Sequence, residues 1–474
     1  MNLSLLSPEI FLFLWSLVIL FISLKNQDRH PRRAGIVAAS GLVISLLLVG
    51  FYTSDGTLFG QTFIVDAYAR TFKLIFIAAA ALTIIGSIDF VAQKLAHRGE
   101  FYALILLCTT GMMFLASAGE LISLYVALEL STITLYILAA YMKRDLKSTE
   151  AGLKYLIIGA ASSGLLLYGL SLIYGLTGTT VLTEIGARLF VGPGTKYAAF
   201  FAVVMFVAGF GFKLAAAPFH MWAPDVYEGA PTPVTAFLSV ASKAAGLVAF
   251  VRIFFGSLLI AKSDWVLILE IVAILAMVVG NAIALLQKNI KRMLAYSSIA
   301  QVGYVLVALS AGVEHSVGSM MIFLLAYLFA NIGAFIVVIA FSNVTGSDNI
   351  ADYAGLMGRS PATAIMMTVF MLSLVGIPPT AGFFAKYWLF AAAVKEGLYG
   401  VVIVAVLTSV ISLFYYMNIV RVMVFHKPKD DTPIELPGLT RFGLVLSTAM
   451  VFAICLLPNT FYKWGMAAST IFRF

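Results

Sequence analysis

The 474-residue sequence predicts an all-α integral membrane protein of about fourteen transmembrane helices, with two inverted five-helix repeats that each contain a broken helix. Three observations carry this. The chain is 62% hydrophobic and only 11% charged, with a mean hydropathy of +1.02, whereas soluble domains carry about 25% charged residues. Apolar runs of roughly 20 residues, enough at 1.5 Å each to cross a hydrocarbon core of about 30 Å, recur along the whole sequence. Lys and Arg are plentiful in every second connection and sparse in the others, the pattern that membrane topology imposes.

Taken in order, apolar runs between charged or Gly/Pro punctuation predict helices near 8–25, 35–53, 67–93, 101–118, 120–142, 151–176 and 198–220. A second set follows near 231–256, 264–286, 295–312, 318–343, 361–393, 399–425 and 441–461. Residues 1–100 thus hold three N-terminal helices, 101–256 the first repeat, 264–425 the second and 441–474 the last helix. The first segment begins beside Glu9 and has neither a basic start nor a small-residue cleavage site, so it reads as a retained helix.

The odd-numbered connections carry 16 basic residues, among them Arg29, Arg32, Arg33, Lys143, Arg144 and Lys429, against 6 on the opposite side, Arg473 included. The positive-inside rule makes the odd loops cytoplasmic and places both termini outside, which suits a bacterial inner (cell) membrane. One missed span would scramble the alternation, so it also supports the helix count.

Two spans are interrupted. The seventh reads GFGFKLAAAPFHMWAPDVYEGAPTP, where Pro218 lacks an N–H and its ring meets the carbonyl one turn earlier. The twelfth reads SLVGIPPTAGFFAKYW, with Pro378 and Pro379 between two half-helices. Backbone groups freed at membrane depth must be buried in protein or line a wet cavity. Helices four to eight and nine to thirteen each carry their break in the fourth helix, and an odd number of helices per unit inverts the second copy. Paired breaks in an inverted repeat point to an ion or substrate site near the bilayer midplane.

Four ionisable residues sit well inside apolar spans: Glu129, Lys213, Lys243 and Lys386. Each charge costs about 2.5–3.5 kcal/mol at a helix centre. Burial disfavours the charged form of a lysine and a carboxylate favours it; at about 4 Å and an effective dielectric near 20 a pair gains roughly 4 kcal/mol. Drawing Glu129 away from Lys213 would therefore turn a proton holder into a proton donor. A static pair that only locks helix packing is the alternative, although a buried pair is often no better for stability than apolar residues of equal volume. Three lysines to one glutamate leave cations without an acidic partner in the spans. Ser239, Ser242, Ser131, Thr132 and Thr134 flank these positions and would help hold water, or serve as ordinary interhelical contacts.

His220, just past Pro218, is a candidate proton carrier near neutral pH, or a histidine satisfied by carbonyls of the break. Lys154 is a candidate second shuttle, or a residue that snorkels to the surface. Arg252 and Arg421, near helix ends, read as anchors.

The net charge of +8 lies in short tracts between apolar runs, which argues against nucleic acid as a partner. Cys108 and Cys455 lie in separate apolar stretches and read as packing residues, and no metal site is expected in this chain. The sequence has no CxxC pair, haem-attachment motif, Gly-rich dinucleotide loop or Walker motif. His30, His97, His315 and His426 fall in loops or at helix ends. The energy for transport must come from partners.

The stretch FKLAAAPFHMWAPDVYEGAPTPVTAFLSVASKAAG, residues 212–246, resembles the antiporter-like membrane subunits of respiratory complex I, the proton-pumping NADH-quinone oxidoreductase. LYVALELST around Glu129, QKNIKRMLAYSSIAQVGY at 287–304 and GIPPTAGFFAKYW around Lys386 match as well. Lysines at Lys243 and Lys386, and an ending soon after the fourteenth helix, favour the N branch over its paralogues. The resemblance implies that Glu129 and Lys213 are the charge pair of a first half-channel, Lys243 a central relay and Lys386 the exit. It implies no cofactor in this chain, with NADH, FMN, iron-sulfur clusters and quinone in partner subunits. Neighbouring antiporter-like subunits, lipid, protons and water are the expected partners. A cation/proton antiporter subunit and an inert membrane scaffold are the alternative readings.

Overall fold

The computed structural model describes residues 3–26, 31–189, 193–428, 430 and 432–472. Arg29, Lys429 and Arg473, counted among the predicted loop charges, lie outside these.

The elements follow the predicted order. The N-terminal helices are α1 (Ser7–Asn26), α2 (Arg33–Leu47) and α3 (Ala67–Lys94). Next come α4 (Arg98–Ala116), α5 (Leu121–Ala139), α6 (Leu146–Thr177), short α7 (Leu182–Arg188), α8 (Pro193–Leu214), α9 (Trp222–Gly229), α10 (Thr232–Phe237) and α11 (Lys243–Phe254). The second half holds α12 (Lys262–Ala284), α13 (Ile290–Ser310), α14 (Val313–Thr345), short α15 (Leu356–Arg359), α16 (Pro361–Val375), α17 (Ala381–Lys395) and α18 (Tyr399–Phe425). α19 (Gly438–Leu456) and α20 (Pro458–Ser469) close the described chain.

Thirteen helices among the described residues are long and apolar enough to cross a membrane. The helices α16 and α17, shorter because of the break between them, together fill the place of the predicted span at 361–393. α10 and α11 form one span, Thr232–Phe254, through a π-helical turn at Leu238–Ser242. That widened turn sits directly before Lys243, and π-turns inside helices recur at functional sites.

The span Thr232–Phe254 is wholly enclosed by protein, and Ile290–Ser310 and His315–Thr345 are 94% buried. The outer helices instead present Leu, Ile and Phe, such as Phe21, Ile157, Leu167 and Phe414, to the lipid. Lys243 therefore stands on the central axis and is shielded from lipid on every side.

Both predicted breaks are present. α8 stops at Leu214 and the chain turns through left-handed Ala215 before α9; α16 stops at Val375 and turns through left-handed Gly376 before α17. Each break contains a cis X-Pro bond, Ala217–Pro218 and Pro378–Pro379. The freed carbonyls find partners inside the protein: Phe212 O accepts from the Trp222 indole at 3.0 Å, and Val375 O from Lys386 and Ser409 at 2.9 and 3.2 Å.

Several boundaries move because caps override hydropathy. Capped by Asp145, α6 starts five residues ahead of the predicted 151, and capped by Asn289, α13 starts five ahead of 295. Lys291 and Arg292 thus lie in a first helical turn instead of a loop. Pro458 opens α20 and ends the last span before the predicted 461. The segment between α2 and α3, read as a loop, holds a hairpin of β1 (Gly56–Leu58) and β2 (Phe63–Val65), with Gly56 opposite Val65.

Two short-range features occur twice. Glu120, before α5, pairs with Val181 beyond α6; Asn289, before α13, pairs with Asn349 beyond α14. Leu121 N–H donates to Thr180 O and Leu182 N–H to Gly119 O, and likewise Ile290 to Asp348 O and Ile350 to Lys288 O. Gly111 on α4 backs onto Ser131 N of α5, and Gly280 on α12 backs onto Ala300 N of α13, where an added Cβ would lie 3.0 and 2.7 Å from those nitrogens.

Candidate functional site

Thr132 lies three residues after Glu129, so both face the same side of α5. Lys213, 5% exposed in the last turn of α8, reaches both: its Nζ donates to Thr132 Oγ1 at 2.9 Å and lies 3.7 Å from Glu129 Oε1. The Ser163 hydroxyl on α6 donates to the same Oε1 at 2.6 Å. Glu129 is thus held from two sides, and with one fifth of its side chain exposed it is the least enclosed member of the set.

A cavity of about 10 Å³, room for roughly one water, joins Lys213 and Thr132 to Ser242, the residue before Lys243. Lys243, 3% exposed, donates to Ser298 Oγ on α13 at 2.7 Å. Lys386 on α17, 5% exposed, donates to Val375 O at 2.9 Å and Ser409 Oγ at 3.0 Å, with Nζ 4.5 Å above the Tyr304 ring. Among the described residues neither Lys243 nor Lys386 has a carboxylate within ion-pair distance, so the surplus of cation over acid in the spans is real. Of the four predicted residues, Glu129 and Lys213 meet directly, while Lys243 and Lys386 rest on hydroxyls and a carbonyl.

The two lower-ranked candidates sit elsewhere. Lys154, 41% exposed, forms ion pairs with Glu150 at 2.8 Å and Asp225 at 2.7 Å; Arg292 completes the cluster by holding Asp225 and Glu228 at 2.8 and 3.1 Å. Burial alone would raise the Asp225 carboxyl, but hydrogen bonds from Lys154 and Arg292 outweigh it and hold it below the usual carboxylate range. His220 lies in the turn after α8 with its ring 6.5 Å from that of Tyr296, and it makes no hydrogen bond to a buried lysine among the described residues.

A model of the transmembrane region of NADH:quinone oxidoreductase and Mrp antiporter proteins matches residues 118–412. The chain is 44% identical, over 100% of both lengths, to NADH-quinone oxidoreductase subunit N of Heliobacterium modesticaldum. The chain belongs to the NADH-quinone oxidoreductase subunit N family. In structure it is similar to a chain of respiratory complex I from Thermus thermophilus, with a TM-score of 0.81 and 32% identity over 96% of this chain and 98% of that one. A chain of the Mrp complex from Dietzia shares the fold alone, with a TM-score of 0.84 and 23% identity over 98% of this chain and 52% of that one.

The structure of this subunit N family member also holds charges that hydropathy reading missed. Lys73 and Glu9 pair at 2.6 Å with neither exposed, and Lys73 Nζ lies 4.9 Å from the Phe63 ring of the hairpin. The sequence signal was a lysine inside a run of Phe and Leu near the start of α3, easily taken for a helix end. Arg252 is not an interfacial anchor. It is 6% exposed, pairs with Asp66 at 2.8 Å, donates to Ala116 O and lies 4.9 Å from the Tyr68 ring, tying α11 to α3 and α4. Its partner was hidden because Asp66 and Arg252 are 186 residues apart.

Proposed function

We propose that this chain is a proton-translocating membrane subunit of an NADH-quinone oxidoreductase, conducting through Glu129, Lys213, Lys243 and Lys386. NADH oxidation, FMN, iron-sulfur clusters and quinone reduction belong to partner subunits, and redox energy arrives through neighbouring antiporter-like subunits. A charge shifted in a neighbour draws Glu129 from Lys213, whose proton passes by way of Lys243 to Lys386 and out. The observation that carries this reading is the chemistry around three lysines: unlike Lys73, which is paired with Glu9, the buried amines of Lys213, Lys243 and Lys386 share one carboxylate, and the last two are held by groups that also bind water. A structural lock would be expected to pair every charge.

The duplicated strand pairs, left-handed helix ends and glycine contacts support reading 101–256 and 264–425 as two copies, beside the three helices of 1–100 and the closing segment 441–474. Five spans separate the strand pair at Glu120 from the one at Asn289, which supports opposite orientations. The loop charges support a bacterial inner membrane with both termini outside. His220 and Lys154 are secondary candidates, as a carrier at the break and an entry-side shuttle.

Replacing Lys386 with Met in the complete complex, reconstituted in vesicles, tests the assignment. Fewer protons per electron, with quinone reduction retained under uncoupler, is the expected result. An unchanged ratio would instead support an inert scaffold, and transport that follows a sodium gradient would support an antiporter.

A further inference from the structure

Among the described residues Lys243 and Lys386 contact no further lysine, histidine or carboxylate, and a proton passing between them needs a set of hydroxyls and water. The structure supplies one. Ser298, which accepts from Lys243, lies three residues before Gln301 on α13, so both side chains face the same way. Gln301 is 3% exposed; its Nε2 donates to Leu374 O at 2.8 Å, one residue before the Val375 carbonyl that holds Lys386. Gln301 Oε1 is buried without a hydrogen-bond partner. Gln301 lines, together with Lys386 and Tyr327, a cavity of about 10 Å³, again room for roughly one water. The Tyr327 hydroxyl, likewise buried without a hydrogen-bond partner, is set near Ser298 on a side chain that lines this cavity.

The duplicated contacts give this position a counterpart. Glu120 and Asn289 are matching residues of the repeated strand pairs, as are Gly111 and Gly280, and both place residues of the second copy 169 positions after the first. On that register Ser298 stands where Glu129 stands, and Gln301 where Thr132 accepts a hydrogen bond from Lys213.

Resting on the relay reading above, we propose that Gln301 is a positioning residue, which holds through its free Oε1 a single water that links Tyr327 to Lys386. One proton leaves the Lys243 ammonium; Ser298, Tyr327 and the water each accept one and release one, and the Lys386 amine takes the last, so the groups between are unchanged in charge. An amide suits this place because a buried acceptor left unpaired is costly, a cost that the water removes.

The test uses the complete complex in vesicles and compares Gln301→Met, Gln301→Thr and Lys386→Met for protons pumped per electron. Methionine keeps the volume of glutamine without an acceptor, whereas threonine installs the hydroxyl found at Thr132 and leaves space for a second water. The proposal expects Gln301→Met to lose as many protons per electron as Lys386→Met, and Gln301→Thr to keep most of the parent ratio. A packing role predicts the reverse order and would overturn it. If Lys386→Met lowers the ratio and Gln301→Met does not, the inference fails while the relay stands; if Lys386→Met has no effect, the relay itself fails. Should Gln301→Met not assemble, a water density between Gln301 Oε1 and Lys386 Nζ in the unaltered complex decides the matter, and its absence refutes the proposal.

Discussion

A double replacement at the first charge pair separates a proton carrier from a structural lock. At 3.7 Å and an effective dielectric near 20, Glu129 and Lys213 attract by about 4 kcal/mol, a ceiling given that Glu129 is one fifth exposed. Lys213→Met leaves Glu129 with the Ser163 hydroxyl alone, and an uncompensated buried charge costs about 3–5 kcal/mol. Adding Glu129→Gln removes the charge and keeps an oxygen for Ser163, so most of that loss is recovered. Stability is read from the temperature at which the subunit leaves the purified complex, and pumping from the proton-to-electron ratio in vesicles. The expected outcome is divergence: the double variant regains the heat stability of the parent, within about 1 kcal/mol, yet stays as deficient in pumping as Lys213→Met. If stability and pumping recover together, the pair only locks the helices and the relay is refuted.

Three further outcomes follow from the geometry. Gly382→Ala drives a Cβ to 1.7 Å from the Ser373 carbonyl oxygen, and since backbone stands on both sides the half-helices α16 and α17 must part. Native gels should show a complex lacking this subunit, whereas Gly178→Ala, at a φ of +65 with open space around it, costs only about 1–2 kcal/mol and assembles. Arg252→Leu strands Asp66 and should lower heat stability by about 3–5 kcal/mol, with Asp66→Asn restoring most of it; no rescue would refute the tether. Because the Asp225 carboxyl is held below its usual range, the stability it contributes is present above the unfolded carboxylate value and lost as pH falls through the lowered one. Asp225→Asn should therefore differ from the parent at pH 7, by no more than about 1 kcal/mol for a group this exposed, and converge with it as the pH falls below the lowered carboxylate value. A difference that grows in acid would refute the sign.

What the sequence shows plainly is what the bilayer enforces. A helix that crosses lipid must be apolar over its length, so span count and order are legible in composition alone. A lysine that survives in such a span, as at Lys213, Lys243 and Lys386, is conspicuous against it. Pro218 and Pro378–Pro379 mark the breaks because the missing N–H acts locally, whatever the surroundings. The residues that hold Glu129 and the lysines beyond it are another matter. Ser163, Ser298 and Ser409 are ordinary hydroxyls in apolar helices, and nothing local separates them from Ser412, which bonds to the carbonyl three residues back. Only the packing of distant helices selects them. Lys73 and Glu9 were missed for a related reason, since a charge one turn inside a helix looks like a boundary until its partner is seen.

In the proposed pairing of two copies, one difference bears on direction. In the reading of matched registers, the carboxylate of Glu129 in the first copy is replaced by the hydroxyl of Ser298 in the second. A carboxylate at 3.7 Å competes with any outside charge for Lys213, so an electrostatic signal from a neighbour has something to move there. Among the described residues Lys243 and Lys386 meet only neutral dipoles; in the proposed relay their proton occupancy would follow the charge of the lysine before them and the water between. Control at one end and passive transfer beyond it is the arrangement a relay needs if a proton is to leave by Lys386 only after Lys213 has been disturbed. Placing a carboxylate at Ser298 would give the central lysine a partner of its own and uncouple it from that signal.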